Sequence, residues 1–297
     1  MKRDKRYFDR LHPIAALCYF AFMLLLAFLS SDPVSVSVCY VFGVLLSGMI
    51  AGMRHLPQSL AYSLPMTLMI ALLNPMFVHR GETILFFLND NPVTKESIIC
   101  GAFIALKVMA VFYWLKCFFA VMTSEKTVFL LGRAMPKAAV FISACLKFIP
   151  MLKHEYKAID DAQKALGIYR AKSIVDKLKC KMRVVSALIS TSIEAAADSA
   201  KVMRSRGYGL QGRSSLNTYR FNASDAVFLA ATIVLGFACI SLKIAGVAEF
   251  DYYPLLQSVL FDAKTLVYYA ALVILAAISV ITEVKENILW RYLRSKL

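Results

Sequence analysis

The chain has 297 residues, 59% of them hydrophobic, and a mean hydropathy of +0.63. These values are too high for a soluble globular domain and indicate an integral membrane protein. The net charge of +15 would point to nucleic acid in a soluble protein. In a membrane protein, the cytoplasmic loops are enriched in Lys and Arg because these residues set the orientation of insertion. The net charge therefore requires no nucleic-acid partner.

Six stretches are apolar enough to cross a bilayer, which takes about 20 mostly apolar residues. The third stretch is interrupted by Pro65, Asn74 and Pro75, which predicts a kink packed against neighbouring helices. The six predicted spans are 13–30, 34–53, 60–78, 98–122, 223–246 and 264–282. The sequence therefore predicts an all-α, polytopic membrane helix bundle of about six spans.

The distribution of charge predicts the orientation. With both termini in the cytoplasm, the inner segments carry a net charge of +17 and the outer segments a net charge of −5. The inner segments are 1–13, Arg54, 123–222 and 283–297, and the outer ones are 31–33, 79–97 and 247–263. The positive-inside rule favours this orientation over its reverse, so we expect both termini on the cytoplasmic side.

A central block of about 100 residues is too long for a simple connector. It divides the chain into spans 1–4 (1–122), a cytoplasmic domain (123–222), and spans 5–6 with a basic tail (223–297). Two helix-like stretches, 153–166 and 184–206, each stop at a glycine, and a basic run, 170–183, separates them. The apolar segment 128–151 is broken by charges and proline, which predicts helices at or under the membrane surface.

Small residues recur along the second helix-like stretch. Ser192, Ala196 and Ala200 repeat every four residues, and such a seam lets another helix approach closely. The pattern predicts two long amphipathic helices that cross.

The end of this stretch, Ser205-Arg206-Gly207, allows two interpretations. In the first, the arginine complements the helix dipole and the glycine ends the helix. In the second, Arg206 projects from the helix end as a forked, permanently charged donor into an acidic groove on a partner.

The chain resembles the transmembrane T component of energy-coupling factor transporters, the ABC transporter branch that imports vitamins and metal ions. That family carries two coupling helices, each ending in an Ala-Arg-Gly type motif, and Ser205-Arg206-Gly207 matches the second. The acidic, alanine-rich stretch 194–200 before it is typical of the family. Further likenesses, in matching order, are Leu11-His12-Pro13, Asn74-Pro75-Met76-Phe77, His79-Arg80-Gly81, Phe148-Ile149-Pro150 and Asp161-Ala162-Gln163-Lys164-Ala165.

The first motif departs from the family pattern, because Ala165-Leu166-Gly167 lacks the arginine. Either Arg170, three residues on, reaches the same partner, or this end docks through apolar contact. The resemblance thus makes both helix ends candidate docking sites for ATPases, and their difference suggests two non-identical ATPases. The candidate docking residues are Ala165, Leu166, Gly167, Arg170, Ser205, Arg206 and Gly207.

The resemblance implies a non-catalytic scaffold in the bacterial cytoplasmic membrane. Such a subunit binds two ABC-type ATPases through its coupling helices and a small substrate-binding membrane subunit through its spans. It couples ATP hydrolysis to uptake of a vitamin or of a cobalt or nickel ion. ATP and magnesium belong to the ATPases, so no cofactor is expected on this chain.

Other function classes find less support in the sequence. The chain has no GxxxxGK[ST] motif, so a partner must hydrolyse ATP. Its four histidines are far apart, with no HExxH, so no metal site is predicted. The alternative is a self-contained secondary transporter or channel, which would need matched halves and charged mid-membrane sites; Lys107 is the one plausibly deep charge. A membrane-bound enzyme would need clustered His, Asp or Glu.

Overall fold

The computed structural model describes residues 7–78, 81–88, 91–167, 174–208, 210, 219–253 and 262–295. The chain divides into a membrane unit, Met1–Thr127 with Tyr219–Leu297, and a coupling unit, Val128–Thr218. In chain order the helices are α1 (Tyr7–Arg10), α2 (Pro13–Leu29), α3 (Pro33–Ala51), a 3-10 turn (Met53–His55), α4 (Leu56–Phe77), α5 (Lys95–Val121), α6 (Ser124–Ala134), α7 (Pro136–Ala165), α8 (Ile174–Ser205), α9 (Ala223–Ile244) and α10 (Ala263–Ser295).

Each of the six predicted spans is a helix in the structure. In the part of the chain that the structure describes, five helical segments are long and apolar enough to cross a membrane: α3, α4 with its 3-10 turn, α5, α9 and α10. The remaining span, α2, is apolar but has only 17 residues. The predicted all-α polytopic bundle is confirmed.

Local sequence signals set where several spans begin. Pro13 and Pro33 occupy first-turn positions of α2 and α3, where a helix does not need a backbone donor. The Asp32 carboxylate accepts a hydrogen bond from the Ser35 backbone N–H at 2.9 Å, and the Thr94 hydroxyl accepts one from Ser97 at 3.3 Å. These side chains satisfy donors that a helix start leaves free.

The core of the membrane unit surrounds α5, which packs against α2, α3 and α4. Trp114 of α5 is fully buried, and its indole Nε1–H donates to the Cys39 carbonyl of α3 at 3.0 Å. Gly43 of α3 faces this indole, and a Cβ there would lie 3.2 Å from Nε1. A Cβ at position 43 would press against the indole, so glycine lets α3 and Trp114 pack this closely.

The prolines of the third span fall inside one helix, α4, and Pro75 is buried. Proline has no N–H, so the Ala71 carbonyl four residues earlier receives no bond from position 75. Gly101 of α5 approaches at this point, since a Cβ there would lie only 2.6 Å from the Ala71 oxygen. The Asn74 amide adds a hydrogen bond to the Ser97 carbonyl of α5 at 2.9 Å. The interruption in the span is thus a packing site against α5.

A β-hairpin was not predicted in the outer segment 79–97. Strands β1 (Ile84–Leu88) and β2 (Asn91–Thr94) pair antiparallel, with Ile84 opposite Thr94 and Leu88 opposite Asn91. The five apolar residues of β1 are too short a run to distinguish from other apolar segments by periodicity.

The two helices of the coupling unit begin earlier than predicted. α7 starts at Pro136, not at 153, and α8 starts at Ile174, not at 184. Pro136 was taken as a break, but it stands in the first turn of α7, where proline is tolerated. The lysines before each predicted start are good helix formers, so their charge does not end a helix. α7 and α8 pack against each other.

A buried ion pair joins distant parts of the membrane unit. Lys243 Nζ of α9 lies 3.4 Å from the Asp32 carboxylate, and both side chains are almost fully buried. The same ammonium donates to the Ser31 hydroxyl at 3.1 Å and to the Ala248 carbonyl at 2.7 Å. Because Asp32 also caps α3, one carboxylate holds the α2–α3 turn to the end of α9.

We expect Asp32→Asn to lower the free energy of unfolding by about 3 kcal/mol, because it leaves the Lys243 charge buried without its counterion. Thermal unfolding of the purified chain in detergent measures the loss. Asp198→Asn is the matched control, since the Asp198–Lys201 pair is exposed on both sides and such pairs contribute less than about 1 kcal/mol. Equal unfolding temperatures for the two variants would contradict the role of the buried pair.

Candidate functional site at two helix ends

α8 ends in a well-defined glycine cap. Gly207 adopts a φ of 75°, and its N–H donates to the Arg204 carbonyl at 3.0 Å. The next N–H, of Tyr208, donates back to the Met203 carbonyl at 3.0 Å. This pair of bonds is the Schellman motif, which satisfies carbonyls that a helix end leaves free. It places Arg206 at the C-cap, directly after the last helical residue Ser205, where its side chain is exposed.

α7 ends with the same local geometry. Leu166 is the C-cap residue, and its N–H donates to the Ala162 carbonyl at 3.1 Å. Gly167 follows with a φ of 73°, and its N–H donates to the Lys164 carbonyl at 2.9 Å. Leu166 therefore occupies the position in α7 that Arg206 occupies in α8. Its side chain is 76% exposed.

The two ends differ in charge. The ten residues up to Gly167 carry a net charge of −1, and the ten up to Gly207 carry +2. In α7, Lys164 Nζ lies 2.6 Å from Asp160 and 3.2 Å from Asp161. Hydrogen bonds from these carboxylates raise the pKa of Lys164, so the lysine stays protonated while its charge is compensated locally. The exposed group at this end is the apolar Leu166.

In α8 the acidic residue Asp198 forms its ion pair with Lys201, before the helix end. Asp198 Oδ1 lies 3.2 Å from Lys201 Nζ, one turn before the cap. Arg204 and Arg206 form no ion pair with the residues that the structure describes. The Arg206 guanidinium, at the helix end, is therefore available to an external carboxylate, which it can bind with two parallel hydrogen bonds. Arg204 lies two residues earlier, about 160° around the helix, so it faces away from a partner that meets Arg206.

Exposed apolar groups surround Arg206. Tyr208 is 54% exposed and Leu210 is 74% exposed. The Leu210 side chain lies close to Gly207, where a Cβ would come within 3.1 Å of it. Arginine and tyrosine are both enriched in binding hot spots, where surrounding contacts exclude water.

The predicted crossing residues lie where α8 meets α7. Ser192 and Ala196 line a cavity of about 350 Å³ together with side chains of α7. Those side chains are Cys145, Phe148, Ile149, Met151 and Leu152. Ala200 is exposed and is not among the lining residues. Arg170, the remaining candidate docking residue, lies outside the described residues.

Sequence reasoning missed two buried cations in the membrane unit, Lys126 and Lys243. Lys126 is 2% exposed and donates to the Phe8 carbonyl of α1 at 2.5 Å. Both pair with groups more than 100 residues away, and one sequence gives no signal for such pairs. Lys107, which was considered as a deep charge, lies 5.6 Å from the centre of the Phe28 ring, a cation–π contact. This contact with Phe28 gives the Lys107 ammonium a structural role within the membrane unit.

Comparison with known proteins decides the family. Residues 4–217 match the family model CbiQ, described as cobalt transport protein. The chain belongs to this family. The matched range contains both helix ends, and the resemblance to the T component of energy-coupling factor transporters is confirmed.

Curated relatives in this family are energy-coupling factor transporter transmembrane proteins EcfT. The one from Brevibacillus brevis is 24% identical over 245 residues, which cover 77% of this chain and 91% of the relative. The one from Listeria innocua is 26% identical over 181 residues, 57% of this chain and 68% of the relative. The one from Streptococcus thermophilus is 29% identical over 106 residues, 35% of this chain, so the match spans only 40% of that relative.

We expect Gly207→Ala to loosen the end of α8, because a non-glycine residue at this φ costs about 1 kcal/mol. Hydrogen exchange of the Tyr208 amide, followed by mass spectrometry of the full chain in detergent, should become about fivefold faster. Gly132→Ala in α6 is the control, since its Cβ would meet only the Ala139 Cβ at 3.6 Å. If exchange at Tyr208 is unchanged in Gly207→Ala, the cap does not hold this helix end.

Proposed function

We propose that this chain is the transmembrane scaffold of an energy-coupling factor importer. In this proposal it couples ATP hydrolysis by partner ATPases to uptake through a separate substrate-binding membrane subunit. The observation that carries the proposal is the pair of helix ends with the same glycine cap and different exposed residues, Leu166 and Arg206, within a chain of the CbiQ family. The charge distribution supports a cytoplasmic position for these ends.

The docking chemistry follows from the two ends. Arg206 binds carboxylates in an acidic groove of one ATPase, while Tyr208 and Leu210 cover the rim of the contact. Leu166 enters an apolar groove of the other ATPase. Because an apolar end with a local charge of −1 and a basic end with a local charge of +2 fit different grooves, the two ATPases are non-identical.

The helices that carry these ends suit the transmission of movement. α8 has 32 residues with no proline or glycine, so it is roughly 45 Å long, whereas the 30 residues of α7 include Pro150. Packed helices move as units instead of deforming, so a displacement at the cap is carried along the helix.

In this proposal the separate substrate-binding subunit, and not this chain, determines which substrate is transported. A vitamin or a cobalt or nickel ion would bind to the separate substrate-binding subunit. The P-loop motif is missing from the sequence of this chain, so in this proposal the partner ATPases hydrolyse the ATP.

We expect Arg206→Ala to weaken binding of the ATPases by about 2 kcal/mol, a roughly 30-fold loss of affinity, because it removes the exposed guanidinium from the contact. Co-purification of ATPases with the chain measures this loss, when the chain is expressed together with the genes that neighbour its own. Arg204→Ala is the matched control: it removes the same charge two residues earlier, in the same exposed helix turn. Full ATPase recovery with Arg206→Ala, or equal losses for both variants, would reject the role of Arg206.

The asymmetry of the ends makes a separate prediction. We expect the purified complex to contain two different ATPase polypeptides in equal amounts, because each helix end selects its own groove. Native mass spectrometry of the intact complex gives the composition. A complex that contains two copies of one ATPase would show that the same groove accepts both Leu166 and Arg206.

A further inference from the structure

A cavity of about 640 Å³ lies between α9 and α10 of the membrane unit, hereafter the α9–α10 cavity. Its volume is in the range of small-molecule sites. Because α9 and α10 are consecutive spans, the start of α9 and the last part of α10 meet at the same side of the unit. Tyr7 of α1 adds a third wall, since its backbone N–H donates to the Glu283 carboxylate at 3.2 Å and its ring lies 6.1 Å from the Phe228 ring.

The inner part of the α9–α10 cavity is apolar. It is lined by Val227, Phe228, Ala231 and Ile278. Ala231 and Ile278 each lie eight residues inside the outermost lining positions, 223 and 286, which is about 12 Å along a helix. Val234, the next residue on this face of α9, is 67% exposed. The inner part is therefore continuous with the apolar surface that a span presents to the acyl chains of the bilayer.

The mouth of the α9–α10 cavity is polar and charged. It is lined by Tyr7, Ser224, Thr282, Lys285 and Glu286. Lys285 is exposed and forms no ion pair with a residue that the structure describes. Glu286 Oε1 lies 3.4 Å from Arg10 Nη1, and its other oxygen accepts no hydrogen bond from the described part of the chain. A cation and a carboxylate thus occupy adjacent positions at the entrance to an apolar cavity.

A phospholipid carries the three groups that this arrangement fits. Its phosphodiester can accept hydrogen bonds from the Lys285 ammonium and the Ser224 hydroxyl, and its acyl chain can enter the apolar part. A headgroup ammonium can donate to Glu286, whereas an anionic headgroup would bring a second negative charge close to this carboxylate. The predicted spans 223–246 and 264–282 begin and end at the mouth, so the bilayer supplies phospholipid headgroups at this level.

We propose that the α9–α10 cavity binds one zwitterionic phospholipid with a primary ammonium group, the class of phosphatidylethanolamine. Its phosphodiester lies at Lys285, its ammonium at Glu286, and one acyl chain passes between Ala231 and Ile278. This site goes beyond the proposed docking of ATPases, because it lies in the membrane unit and shares no residue with the two helix ends. Since Tyr7 forms part of the wall, the bound lipid joins α1 to α9 and α10.

Native mass spectrometry of the full chain, released from detergent and titrated with phosphatidylethanolamine, tests the site. We expect one lipid to be held more tightly than all others, and Lys285→Ala to raise its Kd about fivefold, the effect of one exposed ion pair. Lys264→Ala is the matched control, because Lys264 is an exposed lysine near the other end of α10 and outside the cavity. Equal Kd values for the two variants would overturn the proposal.

The acyl chain is tested by filling the inner part of the cavity. Ala231→Phe should raise the Kd about tenfold, since roughly two CH₂ groups of the chain lose their burial. Ala230→Phe is the control, because this neighbouring position is exposed, lies about 100° away on the helix and does not line the cavity. If Ala231→Phe does not fold, Val227→Trp fills the cavity from a position that is 70% exposed. An unchanged Kd in the filled variant would overturn the position of the chain.

The headgroup is tested with phosphatidylglycerol of the same acyl chains, which lacks the ammonium. We expect it to bind about fivefold more weakly than phosphatidylethanolamine, and Glu286→Gln to remove this difference. Arg10→Gln breaks the same ion pair from outside the cavity and should keep the difference. Equal binding of both lipids to the unchanged chain would overturn the choice of a zwitterion. Displacement by soluble glycerophosphoethanolamine would show a site for free phosphodiesters, and retention of no lipid would indicate a protein partner; either result would overturn the lipid site.

Discussion

Close packing around α5 is the constraint on which the membrane unit depends. Within a bilayer, apolar side chains gain little from leaving lipid, so helices associate through tight van der Waals contact and a few hydrogen bonds. α5 supplies both: Gly101 admits the backbone of α4 at Pro75, and Trp114 fills the space opposite Gly43 while donating to Cys39. Gly101 thus matches the proline in α4, and Gly43 matches the indole of Trp114, because each glycine leaves room for the group that it faces.

The coupling unit follows different rules because its polar faces must meet water. α7 and α8 bury few side chains, and much of their apolar surface is exposed. Their ends are fixed by hydrogen bonds of the backbone itself, at Gly167 and Gly207, and not by a surrounding core. Such an end keeps its shape without neighbours, so the residue before each glycine can present a side chain to another protein at little cost in ordering.

The sequence predicted the spans well, because some 20 apolar residues leave few alternatives to a membrane helix. It failed where a local signal has two meanings. A proline can stand at the end of a helix or in its first turn, so α7 was predicted too short at Pro136. The apolar run Ile84–Leu88 is compatible with several kinds of structure, so β1 was not predicted. The pairing of Asp32 with Lys243 was beyond prediction, because it joins residues 211 apart and depends on how the helices are arranged.

For the candidate site, the motif in the sequence identified both helix ends and aligned Leu166 with Arg206. The structure adds that both residues precede a glycine of φ near 75° whose N–H bonds back to the helix. The compensation of Lys164 by Asp160 and Asp161 likewise needed distances. α8 was predicted to start at 184, so its first ten residues, 174–183, fell outside the predicted helix.

α8 is continuous over its whole length. Arg206 directly follows its last residue, Ser205, and roughly 45 Å of helix separates this end from Ile174. No proline or glycine occurs between Ile174 and Ser205, so this stretch has no residue at which helices commonly bend. A helix of this kind moves as a unit. In the proposed docking at Arg206, a movement of the ATPase is therefore carried along α8 to its contact with α7 at Ser192 and Ala196.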